Sequence, residues 1–160
     1  MKKCVCALFF LLLSTPLFAE TITLNADIYW NVRDVSACLN WTDRLENEET
    51  EFSITLSQVE SYLGEDCHPG YDVWKGEKVI DRETRGFTFD GTVSLEKHIN
   101  HFRDETFYRL TLTVGEHGSE KSSRTLDLPS LDPKAEYSVE GDTLSFEGLE
   151  LTPMLRVSVR

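Results

Sequence analysis

Apolar and polar side chains alternate with a period of two residues in several segments of this sequence, and that alternation constrains the fold most strongly. From Ile22 to Trp30 every second residue is apolar. The same period returns in four further segments, at 37–42, 52–56, 108–114 and 123–128. Because successive side chains of a β-strand point to opposite faces, this pattern is typical of half-buried strands. The sequence therefore predicts an all-β chain.

The first 19 residues have the layout of a secretory signal peptide. Lys2 and Lys3 give a positive start, residues 5–13 are apolar, and Ala19 stands before the expected cut. No later apolar run approaches the roughly 20 residues that a membrane-spanning helix requires. We therefore expect a mature chain of residues 20–160 that is periplasmic or secreted and has no membrane span. A retained membrane anchor is the alternative.

Export also changes how the cysteines are interpreted. Cys4 and Cys6 lie inside the leader, so Cys38 and Cys67 are the two that remain. Two cysteines in an exported chain favour a single disulfide, which would close a loop of about 30 residues and stabilise the fold by roughly 3–4 kcal/mol. A metal or catalytic role is the weaker alternative, because the pair does not form a C-x-x-C motif.

Two segments depart from simple alternation: one is ambiguous between helix and strand, and the other is typical of a hairpin. The apolar residues between 59 and 63 fit either a short helix that ends at Gly64 or a strand that contains a bulge. Residues 73–80 predict a hairpin with its turn near Gly76.

One segment has helical spacing. Leu95, Ile99 and Phe102 follow one another at i, i+4 and i+7, and Ser94 is placed as a helix cap. The spacing predicts one short helix over 95–102.

Four segments resemble strands of the fibronectin type III family. Residues 106–114, Thr-Phe-Tyr-Arg-Leu-Thr-Leu-Thr-Val, are similar to its sixth strand, and 118–128 are similar to its Gly- and Ser-rich turn and last strand. Residues 37–42 resemble its second strand, and 52–56 fall where its third belongs. An immunoglobulin pattern fits less well, because Trp41 lies only three residues after Cys38.

The resemblance implies a two-sheet antiparallel β-sandwich over 20–129. The expected core residues are Leu39, Trp41, Ile54, Tyr108, Leu110 and Leu112. Modules of this kind usually bind partners and do not catalyse reactions, so the resemblance implies an interaction module.

Residues 130–160 form a C-terminal extension of the module. Gly141-Asp142, between two apolar pairs, predicts a two-residue hairpin, and alternation over 155–160 predicts a last strand. Since 31 residues cannot bury a core alone, we expect them to extend a sheet or cover an edge. The alternative is that the last strand pairs with another chain.

Charge and motifs limit the function. A net charge of −12 disfavours nucleic acid and anionic lipid as main partners, because both require a basic face. No catalytic motif is present, and no cofactor or metal is expected. His98 and His101, three residues apart, would share a helix face where a metal could bind, but an exposed polar helix is the preferred interpretation.

The acidic residues Glu46, Glu48, Glu49 and Glu51 cluster in one predicted loop. They form either a solvated surface or a face that steers a basic protein to the module. The first hypothesis is therefore an exported, non-catalytic module that binds a protein or glycan through loops or an edge strand. The second is an acidic periplasmic inhibitor or immunity protein that blocks a cationic hydrolase or toxin. A small hydrolase or metal-dependent enzyme is the third and weakest.

Overall fold

The computed structural model describes residues 19–160 except 38, 45–50, 66–68, 85–86 and 147. Among these residues there are ten strands and no helix. The strands are β1 (Glu20–Asp34), β2 (Leu39–Arg44), β3 (Glu51–Tyr62), β4 (Tyr71–Thr84), β5 (Phe87–Asn100), β6 (Glu105–Glu116), β7 (Ser122–Leu128), β8 (Glu136–Glu140), β9 (Leu144–Phe146) and β10 (Leu149–Val159). The predicted all-β class is confirmed.

The strands form one antiparallel sheet that curls into a half-barrel. Its order is β7-β6-β5-β4-β3-β1-β10-β8, while β2 also pairs with β1 and β9 also pairs with β10. This path of hydrogen-bonded neighbours is continuous, so the expected division into two separate sheets is not confirmed. The architecture is compatible with a β-sandwich-like module at the level of all-β class and antiparallel pairing.

β3 changes partner halfway along its length. Residues 51–56 pair with 20–25 of β1, whereas the strand pairs with 71–75 of β4 from Ser57 onward. The ladder with β4 shifts register between Gln58 and Glu60, which is a bulge. Of the two alternatives for 59–63, the strand with a bulge is therefore the one that forms.

One hydrophobic core lies inside the curled sheet. It draws on β1, β3, β4, β5, β6, β8 and β10, so distant parts of the chain share it. Trp30 of β1 is fully buried and meets Phe89 of β5 edge to face, with ring centroids 4.7 Å apart. We call β1, β2 and β8–β10 one arm of the sheet and β4–β7 the other. This aromatic pair joins the two arms across the core.

The six residues expected in the core have different environments. Ile54, Leu110 and Leu112 are buried, whereas Trp41 and Tyr108 are half-buried and pack against the core. Leu39 is 59% exposed, so its expected place in the core is wrong. It opens β2 at the margin of the sheet, where β1 is the strand's only partner in the described chain.

The predicted helix over 95–102 is wrong, because residues 87–100 form β5 and 101–104 form a turn. Val93 and Leu95 are buried on the inner face, while Phe102 is 81% exposed. Lys97 interrupts the apolar alternation, and its Nζ lies 2.5 Å from the Oε2 of Glu20. A partner 77 residues away in sequence thus allows a charge on the inner side of the strand.

The predicted hairpin around Gly76 is also wrong, because β4 is one continuous strand of 14 residues. A methyl group on Gly76 would overlap the side chain of Ile54 and the carbonyl oxygen of Thr55. Glycine is therefore needed at this position for close approach of β3, and no turn occurs there.

The C-terminal segment forms β8, β9 and β10, and β10 joins the sheet beside β1. β8 and β9 both pair with β10 and not with each other, so the predicted hairpin at Gly141-Asp142 is wrong. The N–H of Gly141 donates to the carbonyl of Pro153 at 2.8 Å, which holds the connection against β10. β10 has β1 on one side and both β8 and β9 on the other, so its two sides are occupied by strands of its own chain.

Candidate functional site

An open strand edge is the feature of this fold most suited to binding. β1 begins at Glu20, which lies opposite Leu56 of β3. Past that point, residues 57–62 of β3 pair with β4 on one side only. Within the described ranges, no strand pairs with their other side. Such an edge presents unpaired backbone donors and acceptors, which an extended chain can satisfy.

Exposed apolar side chains surround this edge. Leu63 is 95% exposed, Phe102 81% and Val59 61%. Tyr62 and Tyr71 are paired across β3 and β4, with ring centroids 5.7 Å apart. We call these five residues the apolar rim. Large apolar side chains that gather on one exposed region are typical of a site of interaction.

The rim is brought together by the turn between β5 and β6. The N–H of His101 donates to the carbonyl of Gly70 at 2.9 Å, which ties the turn to the segment before β4. Gly70 itself packs so closely that a Cβ atom would lie 2.8 Å from the carbonyl oxygen of Leu63. Leu63 and Phe102 are thus held on neighbouring segments.

Asp72 of β4 fixes these segments to one another. It accepts hydrogen bonds from the Nε2 of Gln58 and the Nε2 of His101, each at 2.9 Å. A hydrogen bond from the hydroxyl of Ser61 does most to lower the pKa of Asp72, and the hydrogen bond and charge of His101 lower it further. The carboxylate therefore stays ionised and binds β3 and the β5–β6 turn at once.

The charges beside the rim are mainly negative. Glu60 accepts a hydrogen bond from the Tyr71 hydroxyl at 2.5 Å, and this bond is the main reason that the pKa of Tyr71 is raised. Three exposed acidic residues lie close to the rim in sequence: Glu65, Asp104 and Glu105. Arg103 is an exposed basic residue in the same region. Such a surface favours a partner that carries basic as well as apolar residues.

The two histidines are not arranged as a metal site. The Nε2 of His98 lies 3.0 Å from the Oε2 of Glu96, and its ring stacks on Phe107 with centroids 4.5 Å apart. His101 contacts Asp72 instead. Across the described part of the chain, no three His, Cys, Asp or Glu side chains are grouped so that they could hold a metal ion.

Most of the site residues expected from the sequence fall outside the described residues. These are both cysteines of the expected disulfide, Cys38 and Cys67, and three of the clustered acids, Glu46, Glu48 and Glu49. The disulfide and the acidic loop therefore stay predictions. Glu51 is described: it begins β3 and forms an ion pair with Arg160.

The register of β1 shows that β2 and β3 pair with the same side of that strand. Arg44 of β2 lies opposite Tyr29, and Glu51 of β3 lies opposite Asn25, while β10 pairs along the other side of β1. The acidic segment between β2 and β3 lies outside the described residues.

The open edge was not among the features predicted from the sequence. A weak signal was present: residues 57–62, Ser-Gln-Val-Glu-Ser-Tyr, contain no Lys, Arg or Pro, which are the residues that commonly protect edges. The edge is open because β1 begins opposite Leu56, and strand register of that kind is not visible in a local pattern.

Two further findings bear on function. In the part of the chain that the structure describes, no helix has the length and apolar character needed to cross a bilayer. Comparison with known proteins finds no matching family model, no matching curated protein and no matching solved structure.

Proposed function

We propose that the mature chain is an exported, non-catalytic interaction module that binds an extended segment of a partner protein along the edge of residues 57–62. The open edge supports this most directly, since β-strand addition requires an unpaired strand side. Export is inferred from the leader at 1–19. The fibronectin type III resemblance supports the proposal only as an analogy between binding modules.

The apolar rim makes this edge more suitable for binding than the other open strand sides. β4 carries Lys78 along the part that does not pair with β3, and the edge strand β7 carries Arg124, which pairs with Asp142. Charges of that kind discourage strand addition. Residues 57–62 lack basic residues and include the exposed Val59, so a bound strand gains apolar contacts as well as backbone hydrogen bonds.

A display selection tests the proposal. Extended peptides selected from a random library on residues 20–160 are expected to carry basic and apolar residues. Val59→Lys should weaken their binding about tenfold or more, because the ammonium group meets the incoming apolar side chains. Val35→Lys is the matched control, since Val35 is an exposed valine in the turn after β1. Equal binding to both variants would contradict the proposal.

The second candidate function is an acidic inhibitor or immunity protein that blocks a cationic hydrolase or toxin. The clustering of Glu46, Glu48, Glu49 and Glu51 in the sequence, together with the net charge of −12, favours it. Binding of that kind should weaken steeply between low and moderate salt and should depend on the acidic residues at 46–51, whereas strand addition along 57–62 should depend on Val59. Glu48→Gln with Glu49→Gln should abolish the salt dependence if this candidate is correct.

A further inference from the structure

A second surface, separate from the open edge, runs along the outer face of β1 and β10. It consists of the odd-numbered residues of β1 from Asn25 to Arg33 and the even-numbered residues of β10 from Glu150 to Ser158, which lie directly opposite them. All of these residues are half-buried or exposed. Their neighbours in the alternation, such as Trp30 and Leu151, point into the core. We call this surface the polar strip.

The larger hollow on the strip lies at its Arg33 end and has a volume of about 480 Å³. Its polar lining comes from three adjacent strands: Asn40 and Thr42 of β2, Asn31 and Arg33 of β1, and Glu150 and Thr152 of β10. The register aligns them in two rows, Thr42–Asn31–Thr152 and Asn40–Arg33–Glu150. Trp41 also borders the hollow.

This lining combines hydrogen-bond donors and acceptors. Amides and hydroxyls can each donate and accept, the guanidinium donates, and the carboxylate accepts. The Thr42 hydroxyl already donates to the Oδ1 of Asn31 at 3.3 Å, so the groups are close enough to engage one ligand together. A ligand hydroxyl needs a donor and an acceptor side by side, and these rows provide both.

A smaller hollow of about 170 Å³ lies at the other end of the strip, between Asn25 and Asp27 of β1 and Arg156 and Ser158 of β10. Tyr29 lies between the two hollows. The guanidinium of Arg156 lies 5.3 Å from the centroid of the Tyr29 ring and donates to its hydroxyl at 3.3 Å. A positioned aromatic ring thus separates two polar hollows along one line.

The charges on the strip nearly cancel. Arg33 pairs with Glu150 at 3.2 Å, and Arg156 pairs with Glu136 at 3.0 Å. Asp27, opposite Arg156 in register, adds a third carboxylate to the two arginines. The strip therefore has no excess of positive charge with which to bind an anionic ligand, in a chain whose net charge is −12.

We infer that the polar strip binds a linear, neutral oligosaccharide. The hydroxyls of such an oligosaccharide match the mixed donors and acceptors of the two hollows, and the apolar face of a sugar ring can pack on Tyr29. From Asn25 to Arg33 the strip is about 27 Å long at 3.4 Å per residue, so it accommodates several sugar units in a row. This site is independent of strand addition at 57–62, and either can fail without the other.

Titration of the mature chain with defined oligosaccharides, followed by amide and side-chain NMR shifts, tests this inference. The neutral probes are cello- and malto-oligosaccharides of two to six units; the charged probes are oligogalacturonate and chitosan oligomers. One neutral series should shift the side-chain amides of Asn31 and Asn40, and its hexamer should bind about tenfold more tightly than its dimer. Tighter binding of a charged series, or no shift by either neutral series at about 10 mM, would overturn the inference.

Substitution of Tyr29 separates ring packing from hydrogen bonding. Tyr29→Ala should weaken binding about tenfold, whereas Tyr29→Phe, which keeps the ring, should stay within about threefold. Thr125→Ala on the outer face of β7 is the control and should leave binding unchanged. If Tyr29→Ala binds as tightly as the control, the ring has no part in binding and the proposed arrangement is wrong.

Discussion

Replacing Phe89 with alanine should destabilise the protein strongly, because this ring joins the two arms of the curled sheet. Phe89 is fully buried and lies edge to face with Trp30. An aromatic side chain buries about 200 Å², which at about 25 cal/mol/Å² is worth about 5 kcal/mol. Alanine retains a small part of that contact, so the expected loss is about 4 kcal/mol, within the range for Phe→Ala substitutions.

The assay is reversible thermal and urea unfolding of residues 20–160, with Phe102→Ala as the control. A loss of about 4 kcal/mol lowers the midpoint of thermal unfolding by about 8–16 °C in a chain of this size. Phe102 is 81% exposed, so its substitution should cost less than about 0.5 kcal/mol. If the two variants unfold within about 1 kcal/mol of each other, Phe89 does not connect the arms as described.

Three further predictions concern single contacts. Gly76→Ala should cost about 2 kcal/mol in urea unfolding, because the added methyl group meets the backbone of Thr55; an unchanged midpoint would show that β3 and β4 do not approach so closely. The lowered pKa of Asp72 contributes stability above its unfolded pKa of about 3.9, which is lost as pH falls through the folded pKa. Asp72→Asn should therefore destabilise the protein at pH 7 and progressively less towards pH 2, and a pH-independent difference would refute this. Asp127→Asn removes the exposed, bidentate pair with Arg109 and should cost less than about 1 kcal/mol; a larger loss in unfolding free energy would contradict a solvated pair.

Strands whose core-facing residues are all apolar could be predicted from the sequence. Residues 22–30 of β1 and 108–114 of β6 alternate without interruption, and both form strands with the apolar side inward. In these segments the local pattern and the buried face agree, so no distant contact is needed to recognise the strand.

The errors have a common physical cause, which is a partner far away in sequence. Lys97 is a charged residue on the inner side of β5, where it forms an ion pair with Glu20. It breaks the alternation of β5, and the remaining apolar residues then match helical spacing. Gly76 resembles a turn residue, yet it stands within β4 because β3 passes close by. Gly141 resembles the centre of a hairpin, yet it bonds to Pro153 of β10.

The candidate site could not be predicted for a related reason. Val59 and Leu63 are apolar in a stretch without clear alternation, which fits either a short helix or a strand with a bulge. Their exposure follows from where β1 begins, opposite Leu56, and from the change of partner along β3. A binding edge of this kind is a property of strand register, which depends on the whole sheet.

Amide hydrogen exchange of residues 20–160 tests the open edge most directly. Residues 110–114 of β6 have β5 on one side and β7 on the other, so all of their amides should exchange slowly. In residues 57–62, which have β4 on one side only and a bulge between Gln58 and Glu60, the amides bonded to β4 should exchange slowly and the others fast. Uniformly slow exchange over 57–62 would show that this edge is already covered, and would contradict the proposed mode of binding.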